Sequence, residues 1–330
     1  MHNQAKLIAI LSEGGFHSGE VLGARLGVSR TAVWKTIKKL SEFGLDIHSV
    51  RGKGYRLSHA IELLDAGRIL KETGEKLQPR IAEIDVFLTR SSTNAYLMAK
   101  ASPEPDKGYV CFAEMQTEGR GRRGRQWVSP FGENLYLSIL WQFPADPQML
   151  SGLGLALSVA IVRALDELGV HDIGLKWPND VIWDKRKLAG ILVEMVAEST
   201  GPCRVVMGVG LNINFQSSAS QQIDQPWVDL RTILGRTPSR NKIAGVVLRH
   251  LLNVILLYEQ RGLAPFLDEW RSHDAYKGQQ VDILMYKNNI SGICEGIDNM
   301  GALQVRAGNG PMQKFTSGEI SLRGRPAPEH

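Results

Sequence analysis

The sequence predicts a multi-domain α+β protein whose three regions differ in charge and in spacing of turns. The first 60 of its 330 residues hold nine Lys or Arg against four Asp or Glu, whereas the rest hold 30 of each. The net charge of +5 therefore lies in the first fifth of the chain. Mixed helices and strands in the middle region predict a mixed, mostly antiparallel sheet. From Lys277 onward, closely spaced turn signals predict a small all-β barrel.

The overall composition is that of a globular chain and excludes several other classes. Hydrophobic residues make up 43% and charged residues 22%, unlike a disordered or collagen-like chain. The three widely spaced cysteines, Cys111, Cys203 and Cys294, fit neither a disulfide framework nor a zinc site, which favours a reducing cytoplasm. The longest nearly apolar stretch, residues 152–162, is about half the length of a membrane span. We therefore expect a cytoplasmic protein with no membrane contact and no signal peptide.

Residues 1–62 are expected to form a winged helix-turn-helix domain. Ser18 and Ser29 are well placed to cap a second and a third helix, which a short glycine-containing turn separates. Two strand-like runs follow at residues 45–50 and 55–57, and a basic, glycine-rich tip joins them. A helix, a tight turn, a basic helix and a hairpin are the succession of a winged helix-turn-helix.

The cations of this first domain predict DNA binding. Those on the third helix and at the hairpin tip supply salt-dependent affinity for phosphate. Arg30 and Thr31, at the start of the third helix, are better placed to touch base edges. The candidate DNA-binding residues are Arg30, Thr31, Lys35, Lys38, Lys39, Arg51 and Lys53. A small protein-interaction module is the alternative interpretation.

The middle region, residues 63–276, is expected to hold the chemistry. Apolar periodicity and capping residues give its elements. We predict helices at residues 61–73, 91–101, 149–168, 240–260 and 264–272, and strands at residues 81–88, 109–115, 135–141, 181–183, 187–196 and 204–212.

Residues 119–125 alternate glycine with arginine and predict an anion-binding loop. Glycine lets the backbone approach a ligand closely, and guanidinium groups bind phosphate or carboxylate through paired donors. Trp127 and a Ser-Pro-Phe-Gly turn follow at once. This favours an ordered ligand loop at a sheet edge over an exposed basic loop or an RNA-binding tail.

A polar corner and a lysine follow on neighbouring strands. Asn179 and Asp180 place an amide beside a carboxylate, a pair that could hold Mg²⁺ near phosphates, orient a nucleophile, or simply form a turn. Lys187 follows across a predicted hairpin at Asp184 and Lys185, which would bring it beside this corner. A cation there could polarise a carboxylate or carbonyl group. The sequence contains no Walker lysine motif, nucleophile elbow or Rossmann fingerprint.

Residues 119–125, 176–180 and 187–194 together resemble, in order and spacing, the sites of the biotin protein ligases. The N-terminal domain makes the chain similar to the bifunctional bacterial members that also repress the biotin operon. The resemblance implies a class II synthetase-like central domain and an SH3-like domain at residues 277–330, with residues 318–323 near its end. It implies that biotin and MgATP form biotinyl-5′-AMP, which then modifies a lysine of a biotin carrier domain.

The resemblance also implies a role for each site residue. The expected catalytic residues are Lys187, Arg122 and Asp180. The expected biotin-binding residues are Ser92, Thr93, Asn94 and Gln116 around the ureido ring, with Arg120, Gly121, Arg122, Lys187, Gly190 and Gly208 along the chain and carboxylate. The expected ATP- and adenylate-binding residues are Trp127, Lys176, Asn179 and Asn212. Glu118 departs from the uncharged residue expected just before the arginine loop.

The implied partners are a biotin carboxyl carrier domain, operator DNA and, when biotinyl-5′-AMP is bound as corepressor, a second copy of the chain. Four alternatives stay open at this point: a biotin-sensing regulator without ligase turnover, a ligase with a vestigial DNA domain, a lipoate ligase, and an RNA-binding protein that uses residues 119–125.

Overall fold

The computed structural model describes residues 2–100, 106–144, 150–196, 202–284, 289–308, 310–316 and 321–324. Their strands form a two-stranded, a seven-stranded and a five-stranded sheet. These sheets follow one another along the chain, which confirms the predicted multi-domain α+β architecture.

The N-terminal region has the predicted helix-turn-helix and hairpin. Its elements are α1 (His2–Ser12), α2 (Gly19–Leu26), α3 (Arg30–Glu42), β1 (Ile47–Val50) and β2 (Gly54–Leu57). Ser18 Oγ accepts a hydrogen bond from Val21 N, and Ser29 Oγ accepts one from Ala32 N, each at 3.2 Å. Both predicted helix caps are therefore confirmed. The buried residues of α3 are Val33, Ile37 and Leu40, so its basic side faces outward.

The hairpin is fastened to the turn before α2. His17 and Tyr55 exchange two backbone hydrogen bonds, each 2.9 Å long. Gly54 precedes this contact with a φ of 104°, and a Cβ at this position would lie 2.1 Å from His17 O. Only glycine allows this close approach, which fixes the angle of the hairpin relative to α3.

The middle region is built on a seven-stranded mixed sheet. Its strands are β3 (Ile81–Phe87), β4 (Gly108–Ala113), β5 (Leu135–Phe143), β6 (Ile173–Lys176), β7 (Asp180–Trp183), β8 (Arg186–Val196) and β9 (Cys203–Leu211). The spatial order is β3-β4-β5-β9-β8-β7-β6. Only β3 and β4 run parallel, so the predicted mixed, mostly antiparallel sheet is confirmed.

Helices cover both faces of this sheet. They are α4 (Ala66–Thr73), α5 (Thr93–Met98), α6 (Leu153–Glu167), α7 (Leu230–Leu234), α8 (Arg240–Arg261) and α9 (Leu267–Ser272). α6 and α8 pack together over the main core, whereas α5 packs on β4, β5 and β9 over a smaller core. Among the described residues, α8 is long and apolar enough to cross a membrane, but 61% of its apolar stretch is buried within the protein.

Some predicted elements differ from the structure. α4 begins at Ala66, not at residue 61, because Asp65 caps it by accepting a 2.8 Å hydrogen bond from Arg68 N. β6 and α7 were not predicted, since four and five residues are too short to show a clear period. α6 begins at Leu153, after Gly152 in a left-handed conformation. Residue 149, where this helix was expected to start, lies outside the described part of the chain.

A buried ion pair ties the segment before α4 to the sheet. Arg240 Nη1 donates to Glu114 Oε2 at 2.6 Å and to Glu62 O at 2.7 Å. The other carboxylate oxygen of Glu114 accepts from Leu64 N at 2.5 Å. Both charged side chains are almost wholly buried, so removing either partner would leave an uncompensated charge in the core.

The C-terminal region is the predicted small all-β unit. Its strands are β10 (Gln280–Leu284), β11 (Asn289–Ile297), β12 (Leu303–Arg306), β13 (Met312–Phe315) and β14 (Ser321–Gly324), in the antiparallel order β13-β12-β11-β10-β14. Val281, Cys294 and Leu303 belong to the same apolar core as the central sheet. Residues 318–320 of the motif expected near the end lie outside the described residues.

Candidate active site

A cavity of about 790 Å³ opens over β8 and β9. All fifteen residues expected to handle biotin, nucleotide or catalysis line it: Ser92, Thr93, Asn94, Gln116, Arg120, Gly121, Arg122, Trp127, Lys176, Asn179, Asp180, Lys187, Gly190, Gly208 and Asn212. The fold thus brings together residues that are up to 120 positions apart in the chain.

One end of the cavity holds a network of neutral polar groups. Gln116 Oε1 accepts from Thr93 N at 2.9 Å and from Thr93 Oγ1 at 3.1 Å. Ser138 Oγ lies 2.7 Å from Thr93 Oγ1 and 2.5 Å from Asn94 Oδ1. Ser92 caps α5, so the helix start holds Thr93 and Asn94 in place. The network presents fixed donors and acceptors without net charge, as a small neutral polar ring would require.

The amide of Asn94 is held from two sides. Its Nδ2 donates to Glu194 Oε2 at 2.7 Å, on β8. Its Oδ1 lies over Gly208, where an added Cβ would come within 2.3 Å of it. In this structure the space above Gly208, expected to hold an aliphatic tail, is therefore occupied by the Asn94 amide.

The arginine loop is an ordered hairpin. Trp127 N donates to Gly119 O at 2.9 Å, Gly121 N donates to Arg125 O at 2.7 Å, and Arg120 pairs with Gln126. Its tip is a short 3₁₀ turn at Arg122–Gly124. This geometry confirms the expectation of an ordered loop at the sheet edge. Glu118, just before the hairpin, is exposed and does not line the main cavity.

Arg122 is the loop arginine that turns inward. It is half-buried, whereas Arg120, Arg123 and Arg125 are exposed. Its Nη1 donates to Asn179 Oδ1 at 3.4 Å. Burial lowers the pKa of Arg122 from its ordinary value, and the charge of Asp180 opposes that shift. An arginine stays protonated under such a shift, so Arg122 brings a partly desolvated positive charge to the cavity.

Lys187 and Asp180 form an ion pair on the floor of the cavity. Their Nζ and Oδ1 atoms lie 2.7 Å apart. Asp184 and Lys185, at the turn between β7 and β8, both have positive φ, which is the geometry of a tight two-residue hairpin. This hairpin brings Lys187 back beside Asp180, as the sequence predicted. The adjacent Trp177–Pro178 peptide bond is cis.

Trp127 lies across the two glycines of the strands beneath it. A Cβ on Gly210 would come within 2.3 Å of its ring, and one on Gly190 within 3.0 Å. Lys187 Nζ lies 5.3 Å from the ring centroid, within the range of a cation–π contact. The indole Nε1 is buried and has no hydrogen-bond partner among the described residues. Trp127 thus offers a flat aromatic face next to Lys187.

The segment between β9 and α7 closes another side of the cavity. Residues 222–227 of this segment contribute to the lining. Asn212 Nδ2 donates to Lys187 O at 3.3 Å and to Val228 O at 3.2 Å, which joins both ends of the segment to β8. Those bonds engage the amide nitrogen of Asn212 with the protein itself. Only its carbonyl oxygen is left for a ligand.

Sequence reasoning missed several lining residues. Tyr276 and Gln279 come from the chain just before β10, and Lys176 Nζ lies 5.7 Å from the Tyr276 ring. Ser138 and Glu194 support the polar end from within strands. Tyr276, Gln279 and Ser138 belong to no local motif, because only the packing of distant strands brings them to the cavity. Glu194 ends the 187–194 stretch but was given no role. Within the described residues no cluster of three or more His, Cys, Asp or Glu could hold a metal ion by itself.

The predicted DNA-binding residues share one property, exposure. Arg30, Thr31, Lys35, Lys38, Lys39, Arg51 and Lys53 are all exposed on α3 and at the hairpin tip. The sequence reasoning missed Trp34, which is 53% exposed on α3 with Lys38 Nζ 5.9 Å from its ring. A basic helix and a basic hairpin tip thus form an outward surface suited to a polyanion.

Comparison with known proteins agrees with this division of the chain. An HTH domain model matches residues 3–56, the Biotin/lipoate A/B protein ligase family model matches residues 86–212, and the biotin protein ligase C-terminal domain model matches residues 277–323. A solved biotin protein ligase from Aquifex aeolicus, in complex with biotin and ATP, is 27% identical with a TM-score of 0.64. The structural match covers 74% of this chain and all of the Aquifex aeolicus chain.

Two curated relatives match over nearly the full length. The bifunctional ligase/repressor BirA of Escherichia coli is 40% identical over 318 residues, which is 96% of each chain. The protein of the same name from Bacillus subtilis is 31% identical over 328 residues, which is 96% of this chain and 97% of the relative. These matches, together with the ligase cavity and the N-terminal helix-turn-helix, show that the chain belongs to the bifunctional ligase/repressor family of biotin protein ligases.

Proposed function

We propose that the chain joins biotin to ATP, forming biotinyl-5′-AMP and pyrophosphate, and then transfers biotin to a lysine of a biotin carrier protein. One observation carries the proposal: a neutral polar pocket and two inward cations, Arg122 and Lys187, share one cavity. A molecule with a neutral polar ring at one end and a carboxylate at the other fits this cavity, with its ring in the polar pocket and its carboxylate beside the two cations. The full-length similarity to bifunctional ligase/repressors supports it.

The ureido ring binds at the polar end. Its two N–H groups and one carbonyl pair with the hydroxyl and amide groups of Ser92, Thr93, Asn94 and Gln116. The aliphatic chain runs from the polar end towards Lys187, and not through the space above Gly208, which the Asn94 amide fills. Arg120 and Gly121 cover the chain from the loop, which keeps water away from the carboxylate.

The first reaction brings two anions together. A carboxylate oxygen attacks the α-phosphorus, and the bond to pyrophosphate breaks. Lys187 and Arg122 offset the repulsion and stabilise the charge that develops on the phosphoryl oxygens. Lys187 must leave Asp180 to do so, which the entering carboxylate and phosphate make favourable. Trp127 stacks on adenine, while Asn212 and Lys176 hold the rest of the nucleotide.

Mg²⁺ enters with ATP. Asn179 and Asp180 line the cavity, where Asn179 Oδ1 accepts from Arg122 and Asp180 Oδ1 pairs with Lys187. Mg²⁺ is commonly held by one or two such oxygens plus substrate phosphates. The donor set therefore fits the ion, which would neutralise phosphate charge during activation.

The second reaction transfers biotin to the carrier. The amine of the carrier lysine attacks the carbonyl carbon of the mixed anhydride, and AMP leaves with the bonding electrons. Asp180 orients the incoming ammonium and accepts its proton, since it is the carboxylate beside Lys187. Lys176 and Asn179 support this corner.

Repression uses the N-terminal domain. We propose that biotinyl-5′-AMP acts as corepressor and favours a homodimer, which places two copies of α3 on a two-fold operator. The proposed domains are residues 1–62, 63–276 and 277–330, the central one class II synthetase-like and the last SH3-like. We propose a cytoplasmic location, where the carrier, ATP and DNA meet.

The competing function is a biotin-sensing regulator without turnover. Incubation with biotin, MgATP and a carrier domain separates the two. A mass gain of one biotin on the carrier, together with pyrophosphate release, supports the ligase. Biotin binding without either product would support the sensor.

A further inference from the structure

The segment from Asn214 to Val228 has little regular structure of its own. A single 3₁₀ turn, Ser218–Gln222, interrupts it. Its residues 222–227 nevertheless form one wall of the cavity. The position of this wall must therefore come from contacts that fasten the segment to the rest of the protein.

The far end of the segment is fastened to the catalytic strand. Lys187 N donates to Pro226 O at 2.9 Å, and Val228 N donates to Lys187 O at 3.0 Å. The rings of Phe215 and Trp227, which lie near the two ends of the segment, are in contact, with centroids 5.0 Å apart. A shift of this segment would therefore move or break the hydrogen bonds of the Lys187 backbone.

Two carboxylates fasten the near end: Asp229 Oδ2 accepts from Phe215 N at 2.8 Å, and Glu133 holds the next two residues. Glu133 Oε1 accepts from Ser217 N at 3.0 Å, and its Oε2 accepts from Gln216 N at 3.0 Å and from Ser217 Oγ at 3.1 Å. Asn214 N also donates to the Glu133 carbonyl oxygen at 2.9 Å. Burial raises the pKa of the Glu133 carboxyl, and the hydrogen bonds from Gln216 and Ser217 oppose that shift. In its ionised form the carboxylate accepts hydrogen bonds about twice as strong as neutral ones.

Glu133 connects the region next to the central sheet with the 214–228 segment. It lies in a turn two residues before β5, which is an inner strand of the central sheet. It is half-buried and does not line the cavity itself. The carboxylate therefore joins a rigid element to an irregular one, outside the space where the ligand binds.

We propose that Glu133 is a positioning residue that clamps the 214–228 segment over the nucleotide half of the cavity and so sets how long biotinyl-5′-AMP stays bound. The inference rests on the proposed function, since it takes the nucleotide to lie beside residues 222–227. It adds to that function a control on the lifetime of the intermediate. A longer lifetime protects the anhydride from water and lengthens the time available for the carrier or the operator.

The expected effect falls on retention of the intermediate. Replacing Glu133 by Ala leaves the N–H groups of Gln216 and Ser217 without their acceptor and loosens the segment at these two residues, while Asn214 and Phe215 keep their bonds. The release rate of biotinyl-5′-AMP and the KM for ATP should both rise. The affinity for biotin alone should stay the same, because the polar pocket of Thr93 and Gln116 lies elsewhere in the cavity.

The experiment compares Glu133→Ala and Glu133→Gln with Glu259→Gln. Glu259 is a half-buried carboxylate on α8 that does not line the cavity, so its variant is the matched control. Labelled biotinyl-5′-AMP is formed on the full chain and chased with unlabelled ligand. We expect release to be about tenfold faster for Glu133→Ala, equivalent to about 1.4 kcal/mol. Glu133→Gln, which keeps one acceptor oxygen, should be intermediate, and Glu259→Gln should match the unmodified protein.

Amide hydrogen exchange over residues 213–228 gives a second measurement that does not depend on activity. The segment should exchange faster in both Glu133 variants and not in the control. Unchanged release from both Glu133 variants overturns the inference, whether or not exchange changes. If Glu133→Ala does not fold, the release rate measured for Glu133→Gln tests the inference. If the unmodified chain forms no biotinyl-5′-AMP, the proposed function fails first, and this outcome is distinct from normal retention in the variants.

Discussion

Lys187 Nζ lies 2.7 Å from Asp180 Oδ1, across the tight hairpin that joins β7 and β8. Both side chains are mostly buried, with 18% and 17% of their surface exposed. The pair keeps two charges neutralised beside Trp127. In the mechanism that we propose, the carboxylate of biotin and the phosphates of ATP give Lys187 stronger partners and release Asp180 to meet the carrier lysine.

Replacing Lys187 by Ala removes the strand cation that we assign to the first reaction. Loss of one such electrostatic contact costs about 10²–10³ in rate, so biotin-dependent pyrophosphate exchange should fall by about that factor. Lys71→Ala, on the exposed side of α4, is the control and should behave as the unmodified protein. Equal exchange rates for the two variants would remove Lys187 from the mechanism.

Replacing Arg122 by Gly removes the half-buried arginine of the loop. Biotinyl-5′-AMP should leave the protein faster and modify its own lysines, while the unfolding midpoint changes little. Arg125→Gly also removes a cation that lines the cavity, but an exposed one, and should have a smaller effect than Arg122→Gly. An unchanged lifetime of the intermediate together with unchanged self-biotinylation would show that the loop role is wrong.

Gly208→Ala tests the polar pocket. The new Cβ would lie 2.3 Å from Asn94 Oδ1 and must push the amide out of its bonds to Ser138 and Glu194. An overpacked site costs about 1–3 kcal/mol, so the affinity for biotin should fall by about tenfold or more. Gly154→Ala is the control, since its Cβ would find no atom closer than 3.8 Å. Calorimetry with biotin alone measures the affinity of each variant. Equal affinities for Gly208→Ala and Gly154→Ala would contradict the assigned pocket.

The half-buried carboxyl of Asp274 should make the free energy of unfolding depend on pH. Burial raises the pKa of its carboxyl above the ordinary 3.8, opposed by backbone hydrogen bonds from Tyr276 and Lys277, and its Oδ2 has no partner among the described residues. The folded state thus binds this proton more tightly than the unfolded state, so stability falls as pH rises from about 3.8 through the raised pKa. Asp274→Asn should therefore stabilise the protein more at about pH 8, well above this window, than at about pH 4, near its lower end. Thermal unfolding at both values checks this; a gain that is the same at both, or absent, counts against it.

The salt dependence of operator binding tests the DNA surface. Each phosphate contact contributes about −0.9 to the slope of log K against log salt, so Lys38→Ala with Lys39→Ala should make the slope shallower by about 1.8. Ligase activity should stay unchanged, because both lysines lie on α3, away from the cavity. Gel-shift titrations across salt concentrations measure the slope. A slope equal to that of Lys71→Ala would place the DNA elsewhere.

Local chemistry made part of the fold predictable. Ser18 and Ser29 could be recognised as helix caps because the capping bond joins residues three apart. The position of Lys187 beside Asp180 followed from a two-residue turn, which fixes the register of the strands around it. Such features depend on a few neighbouring residues and need no knowledge of the remaining fold.

Contacts between distant segments could not be predicted in this way. Glu133 meets Ser217 across 84 positions, and Asn94 lies on Gly208 across more than a hundred. Neither pair has a fixed spacing or a periodic pattern, because the sheet alone brings their segments together. For the same reason Gly208 was assigned to ligand space, although the Asn94 amide fills the position above it.

The central claim is that Arg122 and Lys187 hold two repelling acids close enough to form a mixed anhydride. The most direct measurement is exchange of labelled pyrophosphate into ATP by the purified full-length chain, with and without biotin. We expect exchange that requires biotin and Mg²⁺ and that is strongly reduced in Lys187→Ala. Absence of biotin-dependent exchange in the unmodified protein would contradict the account.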